Sequence, residues 1–111
     1  MSNRDIPERD WKILRSMKDE KLDVALLRIF EKIEKVMKNE RQSLHKRYLS
    51  LWKTMRKEDR KISRMFDDLK RSNAINMLIA WRHYDLLSDE ELAQFSERTR
   101  ATIEFLTSPG R

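Results

Sequence analysis

Cysteine is absent from this 111-residue chain, glycine occurs once and proline twice. Without cysteine there is no disulfide frame, no thiolate nucleophile and no cysteine-based metal site. A single glycine near the C-terminus cannot build a phosphate-cradling loop or a glycine-flanked nucleophile elbow. The two histidines, His45 and His83, stand far apart, and neither completes a Glu-x-x-His pair or an HExxH helix. No catalytic residue, metal site, cofactor or small-molecule ligand is therefore expected, and the chain reads as non-enzymatic. Long apolar runs are missing too. The richest, Ala74 to Leu87, is about two-thirds of a bilayer span and is interrupted by Arg82, His83 and Asp85. The opening stretch MSNRDIPERDW lacks the apolar centre of a signal peptide. The expectation is a soluble, cytoplasmic protein with no membrane partner.

What is present favours long helices. Charged residues make up 40 % and apolar ones 39 %, few segments alternate as a half-buried strand does, and breakers are scarce. The fold class read from this is all-α. The expected form is an antiparallel long-helix hairpin with a short N-terminal helix and two or three short C-terminal helices, a helical bundle in one domain, 1–111. Pro7 suits a helix start, and Trp11, Leu14 and Met17 give a short stripe over 8–18. Asp19 and Glu20 can cap the next helix, 20–38, where Leu22, Leu26, Ile29, Ile33 and Val36 recur at steps of four and three. Phe30 and Met37 widen that stripe. A second heptad series, Leu44, Tyr48, Leu51, Met55, Ile62, Met65 and Leu69, is out of register with the first. Between them Asn39 and Gln42 have capping-box spacing, so a turn is predicted there and a second hairpin helix over 40–71. One unbroken helix is the alternative, since no glycine or proline enforces the turn. The segment 74–87 is apolar almost all round, which marks a helix central to a core or buried on another subunit. Ser88 with Glu91 forms a capping box for a helix over 89–95, Ser96 caps another over 97–106, and the last four residues are expected to fray.

Charge is segregated. Residues 38–82 carry thirteen basic groups against five acidic ones, and residues 83–111 carry three against six. At about 100° per residue, Lys46, Lys53, Lys57, Arg60, Arg64 and Arg71 fall in one band opposite the apolar stripe. Such a band can follow phosphates, or it can be the solvated side of an amphipathic helix. No aromatic residue interleaves it to stack bases. On the apolar side, Asp59 projects between Met55 and Ile62, with Glu58 at a heptad d position. A carboxylate there is costly unless it pairs with a cation from the facing helix or the stripe opens to water, so Glu58 and Asp59 are read as a polar layer. Ile75, Leu78, Ile79, Trp81 and Tyr84 are the candidate interface for a second copy.

The stretch from Leu92 to Ile103, LAQFSERTRATI, has the loose spacing of a helix-turn-helix. Glu97 stands where a glycine would permit positive φ, Ser96 and Arg98 replace apolar residues, and this tail is acidic. Two capped helices account for it better. The functional expectation is an interaction module that self-associates through apolar helix faces and binds another macromolecule. Its alternatives are a nucleic-acid accessory protein using the 46–71 face, and, third, a ligand-binding bundle or enzyme.

Overall fold

No glycine or proline interrupts the chain between Glu8 and Met37, and one helix, α1 (Glu8–Met37), occupies that whole span. The structure is a computed structural model that describes residues 5–109; part of the terminal stretch expected to fray lies outside them. The helices expected over 8–18 and 20–38 are thus a single element. Asp19 and Glu20 stay on its surface, while Lys21 beside them is buried, its ammonium 2.5 Å from the Glu91 carboxylate. A capping residue permits a helix to start but does not stop one already running, and no backbone breaker stands here.

The turn comes where the stripe breaks register. Residues 38–43 connect α1 to α2 (Leu44–Phe66). Asn39 does not begin the second helix. Its Oδ1 accepts from the Arg41 N–H at 3.2 Å and its carbonyl from the Gln42 N–H at 3.1 Å, so it belongs to the turn. Ser43 is the N-cap, accepting from the Lys46 N–H at 3.2 Å. Arg47 closes the connection by donating to the Gln42 and Met37 carbonyls. Lys32 meets Glu58 further back, so the pair is an antiparallel hairpin.

The next two helices after α1 end earlier than periodicity predicts, each two residues before an aspartate with positive φ. α2 stops at Phe66 rather than near Arg71; Asp68 has φ 57°, and its carbonyl accepts from Asn73 Nδ2 at 3.1 Å. After a 3-10 turn at Arg71–Asn73, α3 (Ala74–His83) stops short of Leu87, with Asp85 at φ 58°. Asp tolerates this left-handed conformation better than most residues. The Leu86 N–H then reaches back to the Trp81 carbonyl at 2.7 Å, and Arg28 from α1 donates to the Tyr84 and Asp85 carbonyls at 2.9 Å each. The reversal aims Leu86 and Leu87 into the core. α4 (Asp89–Leu92) carries the Ser88–Glu91 capping box and stops at Leu92 rather than Phe95, and α5 (Glu97–Thr107) starts under Ser96. Among the described residues there is no strand, and the class is all-α.

The core lies at one end of the molecule. Leu14 and Ala25 of α1 and Met65 and Phe66 of α2 pack with Leu78 and Trp81 of α3, Leu92 of α4 and Ile103 of α5. Trp81 is its centre: fully buried, 5.7 Å from the Phe66 ring, with its indole N–H on the Met65 carbonyl at 3.0 Å. The rest of the hairpin extends beyond this end as an arm. The radius of gyration is 17.0 Å, against about 13 Å for a compact chain of this length.

A buried carboxylate ties the two ends of the chain together. Asp10, fully buried in the first turn of α1, accepts from the Ser96 N–H at 2.9 Å, Ser96 Oγ at 2.6 Å and Thr99 Oγ1 at 2.5 Å. Burial pushes its pKa up, but hydrogen bonds from Ser96 and Thr99, with Arg9 nearby, outweigh this and hold it below the ordinary value of 3.8. Native Asp10 therefore releases its proton more readily than unfolded Asp10. Its stabilisation is complete above the unfolded pKa and is lost as pH falls through the lower native one. Asp10→Ala should lower the unfolding free energy at pH 7 by about 2–4 kcal/mol and reduce the loss of stability between about pH 4 and pH 2, as measured by urea titration at each pH.

Candidate interaction surfaces

Two sides of α1 are occupied. Ala25, Ile29 and Lys32 face α2, while Asp10, Leu14, Lys21 and Arg28 meet α3, α4, α5 or the turns between them. A quarter turn the other way, α1 presents Leu26, Phe30, Ile33 and Met37. On α2, Glu58, Ile62 and Met65 border α1, and a quarter turn from Glu58 come Leu44, Tyr48, Trp52 and Met55. Because the helices are antiparallel, the two sets emerge on the same side of the hairpin, opposite α3–α5.

Nothing covers that side of the arm among the described residues. From residue 30 to residue 57 no side chain is buried. Phe30 is 61 % exposed, Leu44 76 %, Tyr48 57 % and Trp52 53 %, and Met37 and Met55 are exposed beside them. The sequence shows the same residues only as core-type stripes. They are exposed because the helices that follow α2 pack against the base of the hairpin and not along the arm.

Glu58 sits where the arm joins the base. It is buried, with Lys32 at 3.1 Å and Lys61 at 3.1 Å on its two oxygens. Burial raises its pKa, and the two ammonium groups more than reverse this, so it lies below the ordinary carboxylate value. The cavity beside it, about 170 Å³, is below the usual size of a ligand pocket. Asp59, expected on the stripe, is exposed instead. The stripe facing α1 is centred on Glu58, and Asp59 projects toward the uncovered side near Met55, where a carboxylate keeps its water.

The other predicted residues divide by position. Lys46, Lys53, Lys57, Arg60 and Arg64 are exposed along the outer side of α2. Arg71 leaves that row: α2 has ended before it, and its Nε donates to the Ile6 carbonyl at 2.7 Å. Within the proposed interface set, Leu78 and Trp81 are fully buried in the chain's own core and are not available to a partner. Ile75 and Ile79 are half-buried, and Tyr84 lies under the Lys61 ammonium at 5.6 Å and edge-on to His83 at 4.9 Å. The apolar character of 74–87 thus belongs to the intramolecular core. His45 is exposed in the first turn of α2, far along the arm from His83. Among the described residues no group of His, Asp and Glu is disposed to hold a metal, and no helix is long and apolar enough to cross a membrane.

No family model, curated protein or solved structure matches the chain. Its chemistry has to be read from these surfaces. Asp10 and Lys21, which fix the tail to α1, carry no sequence signal that separates them from the exposed charges around them.

Lys32 is half exposed and Lys61 about a quarter exposed, so both can rehydrate if the acid between them is removed. Glu58→Met, which fills the same space with apolar atoms, should leave stability unchanged or raise it by up to about 2 kcal/mol. Glu58→Ala should lower it by about 1–2 kcal/mol, because the replacement leaves a void. Urea titration of the two variants checks the contrast.

Proposed function

We propose that this protein is a non-enzymatic helical interaction module that self-associates through the open apolar face of its hairpin arm. The observation that carries this is the run of 28 residues, 30–57, with no buried side chain and an apolar stripe on each of its two helices. A two-helix arm without a core of its own is marginal in water, since helices in proteins draw most of their stability from a packed face. A second hairpin laid on the first would complete a four-helix core around Phe30, Met37, Tyr48, Trp52 and Met55.

Continuity and access support the second copy. Phe30, Met37, Leu44, Tyr48, Trp52 and Met55, between 44 % and 76 % exposed, form with Leu26 and Ile33 a contiguous apolar face of the kind that marks a protein interface. The C-terminal helices lie on the opposite side, so two copies can meet along the arm without collision. The cationic row of α2 also points away from the face, which limits repulsion between two chains of net charge +6. The same face holds no convergent polar groups of the kind that orient a substrate.

Sedimentation equilibrium should give twice the 13.6 kDa chain mass at micromolar concentration. Phe30→Glu combined with Trp52→Glu should return the chain mass and increase amide exchange across the arm while leaving the base protected. A wild-type monomer at high concentration overturns the proposal.

A further inference from the structure

The chain's net charge is +6, and α2 alone, with eight basic and two acidic side chains, carries as much. One of those acids, Glu58, is buried and held between Lys32 and Lys61, so it offers nothing to the outer surface. Lys46, Lys53, Lys57, Arg60 and Arg64 follow one another at steps of seven, four, three and four along the outside of the helix. From 46 to 64 that line is about 27 Å long at 1.5 Å per residue. All five are exposed, and none takes part in an ion pair among the described residues.

Solvation alone does not select this pattern. Water requires charge on an outer helix face, but not charge of one sign. α1 meets the requirement with opposite charges at i,i+4, Glu8 with Lys12 at 3.7 Å and Glu34 with Lys38 at 2.5 Å. α2 instead sets like charges at i,i+4 and i,i+3: Lys53 with Lys57, Lys57 with Arg60, Arg60 with Arg64. Each such pair destabilises an isolated helix. An anionic partner removes that penalty, and a regular line of cations suits a polymer whose charges are regularly spaced.

We infer that this row is a docking strip for the phosphate backbone of double-stranded nucleic acid, bound without readout of sequence. A single strand would call for aromatic platforms, and the arm's aromatics, Tyr48 and Trp52, lie on the open apolar face instead. A membrane surface would take the apolar face of α2 into the lipid and leave this row pointing away from it. The duplex presents one charge per about 1.7 Å of axis with both strands counted, so a strip of this length lies beside more phosphates than it has cations. The inference goes beyond self-association and does not require it, because the row lies outside the face a second copy would cover.

The test uses the full chain with a 20-base-pair DNA duplex of arbitrary sequence and the matching RNA duplex, followed by fluorescence anisotropy. With five phosphate contacts, the plot of log affinity against log salt on DNA should have a slope of about −4.5, roughly 500-fold weaker binding at about 200 mM than at about 50 mM. Lys57→Gln with Arg60→Gln should make the slope shallower by nearly two. Lys53→Glu, Lys57→Glu, Arg60→Glu and Arg64→Glu together should abolish binding with unchanged helical circular dichroism, and Lys12→Gln on α1 should leave the slope as it was. Absence of binding to either duplex at about 50 mM salt overturns the inference. So does binding whose slope ignores the Gln pair, or row-dependent binding to anionic-lipid vesicles in preference to duplex.

Discussion

A helix of 30 residues, about 45 Å long, is the constraint on which this fold depends. Among the described residues, the helices that follow α2 cover only one of its halves. α3, α4 and α5 together pack on the base, where Leu14, Ala25 and Trp81 meet, and they are held there by polar groups as much as by apolar ones. Asp10 accepts the N-terminus of α5, Lys21 takes Glu91 of α4, and Arg28 satisfies the carbonyls that end α3. These three side chains bind one tail helix or helix end each, and they lie along one side of α1. The arm is what remains of the hairpin once that side has been used.

The all-α class and the hairpin were legible because they rest on strong local signals. The loss of register between Val36 and Leu44 marked the turn, and Ser88, Glu91 and Ser96 are cap residues whose chemistry acts within a few residues. The departures share a different cause. The burial of Lys21 on the continuous α1 depends on Glu91, seventy residues away. The end of α3 depends on Asp85 adopting positive φ, which Arg28 supports from another helix. Of the two acids expected in the polar layer, Glu58 is buried and Asp59 is not, because the apolar residues of α2 lie on both a covered and an uncovered side. Tyr48 and Met55, on the uncovered side, pull the apparent center of the stripe from Ile62 and Met65 toward Asp59. The exposed face is similarly hidden: periodicity tells which residues share a side, and only the packing of α3–α5 decides how much of that side is covered.

The arm keeps two unlike surfaces apart on one helix. Its apolar side is broad and shared between α1 and α2, whereas its cationic side belongs to α2 alone. Hydrophobic contact acts at short range and is indifferent to salt at this level, while the row of Lys and Arg acts over about a Debye length and weakens as ions are added. Occupying one side leaves the other free, so the two can be engaged independently. Between them, Glu58 pairs with the two lysines nearest the inside of the hairpin and offsets one of their two positive charges, so most of the unbalanced charge lies on the outside.

Glu91 serves two contacts that operate over very different stretches of chain. One oxygen completes the cap at the Ser88 N–H, three residues back, and the other meets Lys21, seventy residues back. α4 has only four residues, too few for a helix to persist unaided. Its first turn is therefore formed in the same event that brings the tail to α1. During synthesis the hairpin can close as soon as α2 emerges, through contacts a few dozen residues apart. The tail docks only when Ser96 returns to Asp10 across 86 residues, a contact of high sequence separation that is slow to form.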